Sequence, residues 1–246
     1  MAHAESLQFS LAEPILASPL GVRTGLRRNR SRSGSEAASG PVRAGGVVGG
    51  RWHDSCVRDV DAVEPGSLLI ADPTMSDPNF RRTVVLVLHH SSQGTLGVVL
   101  NRPSEIPVAS VLPHWADHVA APASVFVGGP VERDTPLGVA TLRTGEVPGS
   151  VPGTIGVHGP LALVVLDSDP EPLVPRLRGM RVFAGYAGWD AGQLAGELER
   201  GDWIVAPALP SDVLAEPSTD LWAAVLRRQG LPLALLATHP GDLQLN

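Results

Sequence analysis

The stretch from Gly66 to Pro103, GSLLIADPTMSDPNFRRTVVLVLHHSSQGTLGVVLNRP, constrains the fold more than any other part of the chain. Thr83–Leu88 is an unbroken run of β-branched residues and leucine. A half-buried strand alternates apolar with polar residues, so a continuous run predicts a strand covered on both faces. His89-His90 end the run, and Ser91-Ser92-Gln93-Gly94 predict a reversal in which Gly94 supplies positive φ. Thr95–Leu100 returns as the partner strand, and Gly97 within it marks a bulge or a close backbone approach. Ser67–Ala71, bounded by Gly66 and Asp72-Pro73, predicts another short buried strand.

The loop between these strands, Asp72–Arg81, is held by Pro73 and Pro78. Asp72, Ser76, Asp77 and Asn79 can bond to local amides. Phe80 is the loop's one large apolar residue and is expected to anchor it.

Beyond Pro103 the pattern mixes strands and helices. A short helix is predicted within Pro107–Trp115. Strands are predicted at Ser124–Val127, Gly138–Arg143, Leu161–Leu166 and Asp202–Ala206. Gly128-Gly129-Pro130 demands either a tight turn or a close approach. Arg181–Trp189 reads as a strand to Gly185 that then opens into small residues. Asp190 as N-cap, with Gln193 three residues on, predicts a helix over Ala191–Arg200. Its apolar face carries Leu194 and Leu198, which puts Glu197 and Glu199 on the solvated side, and Gly201 stops it. Further helices are predicted at Pro210–Ala215 and Leu221–Gln229, the latter with Leu221, Val225 and Arg228 at helical spacing. An apolar segment after Leu231 is expected to follow. Hairpins interspersed with helices, rather than repeated strand–helix units, indicate an α+β fold and not a doubly wound sheet.

Residues 1–60 have no sustained period, and Gly21–Arg51 is rich in Arg, Gly, Ser and Ala. Such a segment buries too little apolar surface to offset its chain entropy, so 1–60 is expected to be a disordered, Arg-rich extension of a domain spanning 61–246. A solvated tail, a basic arm on nucleic acid, and sequence upstream of the true start all fit its composition.

Charge and composition exclude several classes. Residues 1–60 carry a net charge of +3 and residues 61–246 a net charge of −9, so the domain lacks the broad basic footprint of a nucleic-acid binder. All 19 basic residues are arginine, which removes the lysine that a P-loop or a Schiff-base enzyme requires. The single cysteine, Cys56, cannot form a disulfide framework. No apolar run approaches the roughly 18 residues needed to span a bilayer, so a cytoplasmic protein with no membrane partner is expected.

Three blocks stand out in order: Gly66–Pro103; Phe126–Pro130 (FVGGP); and Arg181–Trp203 (RVFAGYAGWDAGQLAGELERGDW). With LIADP, DPNFRRTVV, GVVLNRP, GGPV and GYAGWDAGQLAGEL in sequence, residues 65–245 resemble the AlgH/YqgE family of bacterial proteins. The resemblance implies one α+β domain with mixed strands folded into a barrel-like core. It also implies a role in regulating transcription, and it carries over no catalytic residue. The Arg-rich extension is longer than the family pattern.

The polar residues admit two readings. Asp77, Asn79, Arg82, Asn101 and Arg102 cluster at strand ends. Arginine beside asparagine amides can hold a carboxylate or phosphate; equally, these groups can stabilise their own turns. Gly128 and Gly129, with Tyr186, Trp189 and Gln193, mark either close packing or an aromatic-lined groove. Asp190 at the helix start repels phosphate there. There is no Gly-x-Ser-x-Gly elbow. His89-His90 point to opposite faces of a strand, and His114 with His118 at i, i+4 lacks a well-spaced third ligand, so no metal or cofactor is expected. The favoured reading is a non-enzymatic binding or regulatory module with an unidentified protein or small-molecule partner. The alternative is an enzyme acting on a small anionic ligand at Asn79, Arg82 and Asn101.

Overall fold

The computed structural model describes residues 60–239. The expectations placed on the extension before Val60, including those for Cys56 and the Arg-rich run, lie outside the described residues.

Among the described residues ten strands form one curled, largely antiparallel half-barrel flanked by helices. They are β1 (Ser67–Ala71), β2 (Val84–Ser91), β3 (Gly94–Val99), β4 (Pro103–Pro107), β5 (Ser124–Val127), β6 (Val131–Leu142), β7 (Thr154–His158), β8 (Leu161–Val164), β9 (Leu177–Asp190) and β10 (Trp203–Pro207). The main path runs β10-β1-β2-β3-β9-β6-β8-β7, while β5 joins β9 in parallel and carries β4 on its other side. Curling brings the start of β1 to the end of β7. A Cβ added to Gly66, at φ +91°, would sit 2.5 Å from the Cβ of His158.

The continuous apolar run is buried on both faces, as its composition predicts. Val85 and Val87 join Leu69, Leu194, Leu198 and Trp203 in one core cluster. Val84 and Leu86 alternate with them and point the other way, and all four are fully buried. Each such side chain contributes about 1.5–3 kcal/mol of burial. A second cluster, built on Trp115, Val125, Ala140, Val164, Leu173, Met180 and Val182, fills the β5–β6–β8–β9 side.

Several boundaries differ from the sequence reading. β2 continues through His89 and His90 to Ser91, because both histidines pair with β3 after a register shift at Val87. β4 and β7 were not foreseen. β4 is a mostly exposed edge between two prolines and offers no hydrophobic alternation. β6 starts at Val131 rather than Gly138. β9 does not open after Gly185 but runs unbroken to Asp190, because its small residues let neighbouring backbone approach. The following helix begins at Gln193, not Ala191. Gly192, in the left-handed region, holds the N-cap position that the sequence assigns to Asp190. Arg228, at helical spacing with Leu221 and Val225, is held by a charge. It forms a two-pronged pair with the buried Asp212, at 2.6 and 2.7 Å.

Opposite Gly185, β6 loops out. Val131 pairs with Tyr186 and Pro136 with Ala184, which leaves residues 132–135 as a wide bulge. Gly185 sits at φ +70°, where an added Cβ would lie 2.6 Å from the Val131 carbonyl oxygen.

Candidate functional site

The loop between β1 and β2 is built from its own side chains. The Asp77 carbonyl accepts the amides of Phe80 (3.1 Å) and Arg81 (2.7 Å). Its carboxylate Oδ1 accepts the Asn79 amide at 2.7 Å. Phe80 anchors the loop as expected, stacked on Trp189 with centroids 6.2 Å apart and edge-on to Trp203 at 5.5 Å. Below this aromatic cluster, Glu197 corrects the sequence reading that placed it in solvent. Its Oε2 accepts the indole N–H of Trp189 (2.7 Å) and of Trp203 (2.8 Å), and its Oε1 accepts the Gln193 amide at 2.9 Å. Gln193 Oε1 in turn accepts the Asp190 N–H at 3.0 Å.

The loop then rises to Arg82, a non-glycine residue in the left-handed region at φ +54°. Its guanidinium lies 4.1 Å over the Trp222 ring. It donates to Asp220 Oδ2 at 2.7 Å and to the His239 carbonyl at 3.1 Å. Asn101 uses both amide atoms on the backbone leading into β2, accepting the Val84 N–H (3.1 Å) and donating to the Arg82 carbonyl (2.8 Å). Arg82 and Asn101 share the wall of one hollow of about 200 Å³, whose lining also includes Phe126, Glu216, Asp220 and Leu221.

The remaining candidates stand apart from that hollow. Asn79 is exposed, and its Oδ1 lies 3.5 Å from Arg133 Nη2 on the β6 bulge. Arg102 donates to the Arg81 carbonyl at 2.7 Å. Burial, and then the Arg81 charge beside it, pull the Arg102 pKa below its ordinary value. Gly128 and Gly129 serve close packing, because added Cβ atoms would fall 2.2 Å from the Gly185 oxygen and 2.1 Å from the Tyr186 carbonyl carbon. Tyr186 is half-buried, and burial first, then the bonded Glu132 carboxylate, push its phenol pKa up. Trp189 and Gln193 belong to the Glu197 cluster.

A second hollow, of about 160 Å³, is lined by His90, Ser91, Ser92, Thr95, Asp190 and Leu194, among others. His90 Nδ1 and Thr95 Oγ1 lie 2.7 Å apart. Burial and the adjacent His89 lower the His90 pKa. His114 Nε2 bonds to the Leu166 carbonyl at 2.9 Å and His118 packs against Trp115. Among the described residues no group of three or more metal-ligating side chains converges. No helix among them is long and apolar enough to cross a membrane.

A family model described as AlgH-like matches residues 68–234. The chain belongs to the AlgH-like family. The UPF0301 protein of Mycolicibacterium smegmatis is 56% identical over 184 residues, covering 75% of this chain and 92% of that protein. The UPF0301 protein of Mycobacterium tuberculosis is equally similar, at 56% over 184 residues, 75% of this chain and 91% of its own length. Among solved structures, a Corynebacterium diphtheriae protein superposes with a TM-score of 0.70 at 43% identity, covering 72% of this chain and 92% of its own. AlgH from Pseudomonas aeruginosa superposes with a TM-score of 0.53 at 32% identity, covering 72% and 95%. This AlgH-like chain thus shares the fold and the family that its three sequence blocks indicate.

Sequence reasoning missed Glu197, Glu216 and Asp220. Glu197 had a signal: an indole N–H at the border of an apolar face needs an acceptor. Glu216 and Asp220 had none, since only the tertiary fold brings Glu216 to the wall of the Arg82 hollow and Asp220 to Arg82 itself.

Proposed function

We propose that this AlgH-like protein is a non-enzymatic binding module with a regulatory role, and that its ligand enters the hollow between Arg82–Asn101 and Glu216–Asp220. The observation that carries this reading is the state of Arg82. It joins three separate parts of the chain: the β1–β2 loop, the N-cap of the helix Leu221–Arg228, and the His239 carbonyl. An occupant that draws Arg82 away would release Asp220 Oδ2 beside the helix N-cap and the His239 carbonyl. Occupancy would thereby become a change at the C-terminal side of the domain, which is how a regulatory module reports its ligand.

The lining also speaks to the ligand's character. Leu100, Phe126 and Leu221 are apolar, while the carboxylates of Asp220 and Glu216 outnumber the one guanidinium. That balance favours a neutral or cationic group on an apolar stem over a small anion. The reading as a binding module rather than an enzyme is supported by Asn101, whose amide is spent on backbone at both ends.

The test is two-dimensional NMR of the full chain, titrated with fractionated small-molecule and peptide extracts from the native cell. Shifts concentrated at Arg82, Asn101, Phe126 and Leu221, with accompanying shifts near His239, are expected. Ligand shifts confined to other surfaces would overturn the placement. A turnover abolished by Arg82→Gln or Asp77→Asn would overturn the non-catalytic reading.

A further inference from the structure

Among the described residues four arginines find carboxylates: Arg82 with Asp220, Arg176 with Glu146, Arg200 with Asp202 and Arg228 with Asp212. The other described arginines do not, although residues 61–246 carry nine more acids than arginines, and two of these unpaired ones, Arg81 and Arg102, meet. The fold instead holds these two cations together. The Arg102 guanidinium is pinned at 2.7 Å to the Arg81 carbonyl, close enough for the Arg81 charge to act on it. The turn that carries Arg81 is locked by the two Asp77 carbonyl bonds. Asn79, on the same turn, is approached by Arg133, which also forms no ion pair among the described residues. Oδ1 of the Asp77 carboxylate accepts the Asn79 backbone N–H.

Two like charges brought near each other, neither in an ion pair among the described residues, repel, and an anion between them relieves that repulsion. We propose that Arg81 and Arg102, with Asn79 and Arg133 at the margin, form an anion site that takes the phosphoryl group of a small phosphorylated molecule. A guanidinium fork matches two phosphate oxygens, and a dianion neutralises both arginines at once. A single phosphoryl group fits better than a nucleic-acid backbone, because the net −9 of residues 61–246 repels a polyanion. The site is separate from the hollow between Arg82 and Asp220 and does not rest on that reading. It moves the anion-holding role that the sequence gave to Arg82 and Asn101 onto their neighbours. Arg82 and Asn101 already hold protein partners, whereas Arg81 and Arg102 have guanidinium N–H groups left over.

The experiment is isothermal titration of the full chain with inorganic phosphate, with adenosine monophosphate and with a short DNA duplex, at one fixed ionic strength. Saturable binding of phosphate or the mononucleotide is expected, weakened about tenfold or more in Arg81→Gln. This variant keeps the backbone carbonyl that holds Arg102, so it removes the charge without removing the structural bond. Arg102→Gln loses both and serves as a second variant. Asp220→Ser, which alters the hollow, should leave phosphate affinity unchanged; a parallel loss there would overturn the assignment to Arg81 and Arg102. Tighter binding of the mononucleotide points to a nucleotide-type source of the phosphoryl group, and equal binding to free phosphate. Failure of both small ligands to bind, equal affinity in Arg81→Gln, or binding of the duplex alone would each overturn the proposal.

Discussion

Arg82 and Asp220 are separated by 138 residues in the chain and meet at 2.7 Å. Asp220 has two duties there. Its Oδ2 receives the Arg82 guanidinium, and its Oδ1 accepts the Ala223 N–H as N-cap of the helix Leu221–Arg228. The two duties can be separated by substitution. Asp220→Ala loses both and should cost about 1–2 kcal/mol, mostly through the cap. Asp220→Ser keeps a capping oxygen and loses only a partly exposed ion pair, so it should fall within about 1 kcal/mol of the wild type. Denaturant unfolding of the two variants checks the order. Equal losses would mean the cap contributes nothing.

Glu197 is a more demanding position. One carboxylate oxygen satisfies two indoles, and the other satisfies Gln193. Glu197→Leu would leave the N–H groups of Trp189 and Trp203, both buried, without an acceptor. The expected loss is about 2–4 kcal/mol, from an unsatisfied-donor cost of about 1–3 kcal/mol each. Glu197→Gln keeps an acceptor oxygen for the indoles and should cost about 1 kcal/mol. The Phe80 loop rests on these indoles, so Glu197→Leu should also speed amide exchange at Asn79–Arg82. Unchanged exchange there would show that the loop is held from elsewhere.

Local signals accounted for much of the fold. The run Thr83–Leu88 announced a strand covered on both faces, Gly128-Gly129 announced a close approach, and Leu221 with Val225 announced a helix. β4 escaped because Pro103-Ser104-Glu105-Ile106-Pro107 is an exposed edge, where no apolar period is required. β9 was cut short because small residues read as a break, when here they admit the β6 backbone. The polar residues were legible as a cluster but not in their roles. Asn101 serves backbone, Arg102 serves a carbonyl, and Arg82 serves a carboxylate 138 residues away. Sequence carries no marker for a carbonyl acceptor, nor for a partner that only tertiary folding brings near.

Asn101 provides a direct measure of how much that backbone service contributes. Asn101→Ala leaves the Val84 N–H and the Arg82 carbonyl without their side-chain partner at the start of β2, and should cost about 1–3 kcal/mol. Asn101→Asp keeps the acceptor for Val84 but sets a carboxylate oxygen against the Arg82 carbonyl, so it should do no better than Ala near neutral pH. Equilibrium unfolding of both variants tests this. Full stability in Asn101→Asp would mean that the donor half of the amide contributes nothing.

Arg181 gives a prediction in pH. It lies on β9 at 1% exposure, over the Phe126 ring at 4.4 Å. Its Nη2 donates to the Ala121 carbonyl at 3.2 Å, and its Nε has no partner among the described residues. Burial pushes its pKa down to about 10. A cation whose folded-state pKa is depressed is held at a cost while protonated, on the order of 3 kcal/mol here. The unfolded chain binds the extra proton between about 10 and its ordinary value, so the cost is present below about 10 and relieved as pH rises through that window. Arg181→Met removes the charge and the unpaired N–H while keeping the apolar stem, and should be neutral or stabilising at neutral pH. The chain has no lysine and a single tyrosine, Tyr186, whose titration is common to both proteins and cancels in their difference. The stability of the wild type relative to Arg181→Met should therefore be flat up to about pH 9 and climb by about 1 kcal/mol by about pH 11. A difference that stays constant across that range would mean the Arg181 guanidinium is as well solvated in the fold as in the unfolded chain.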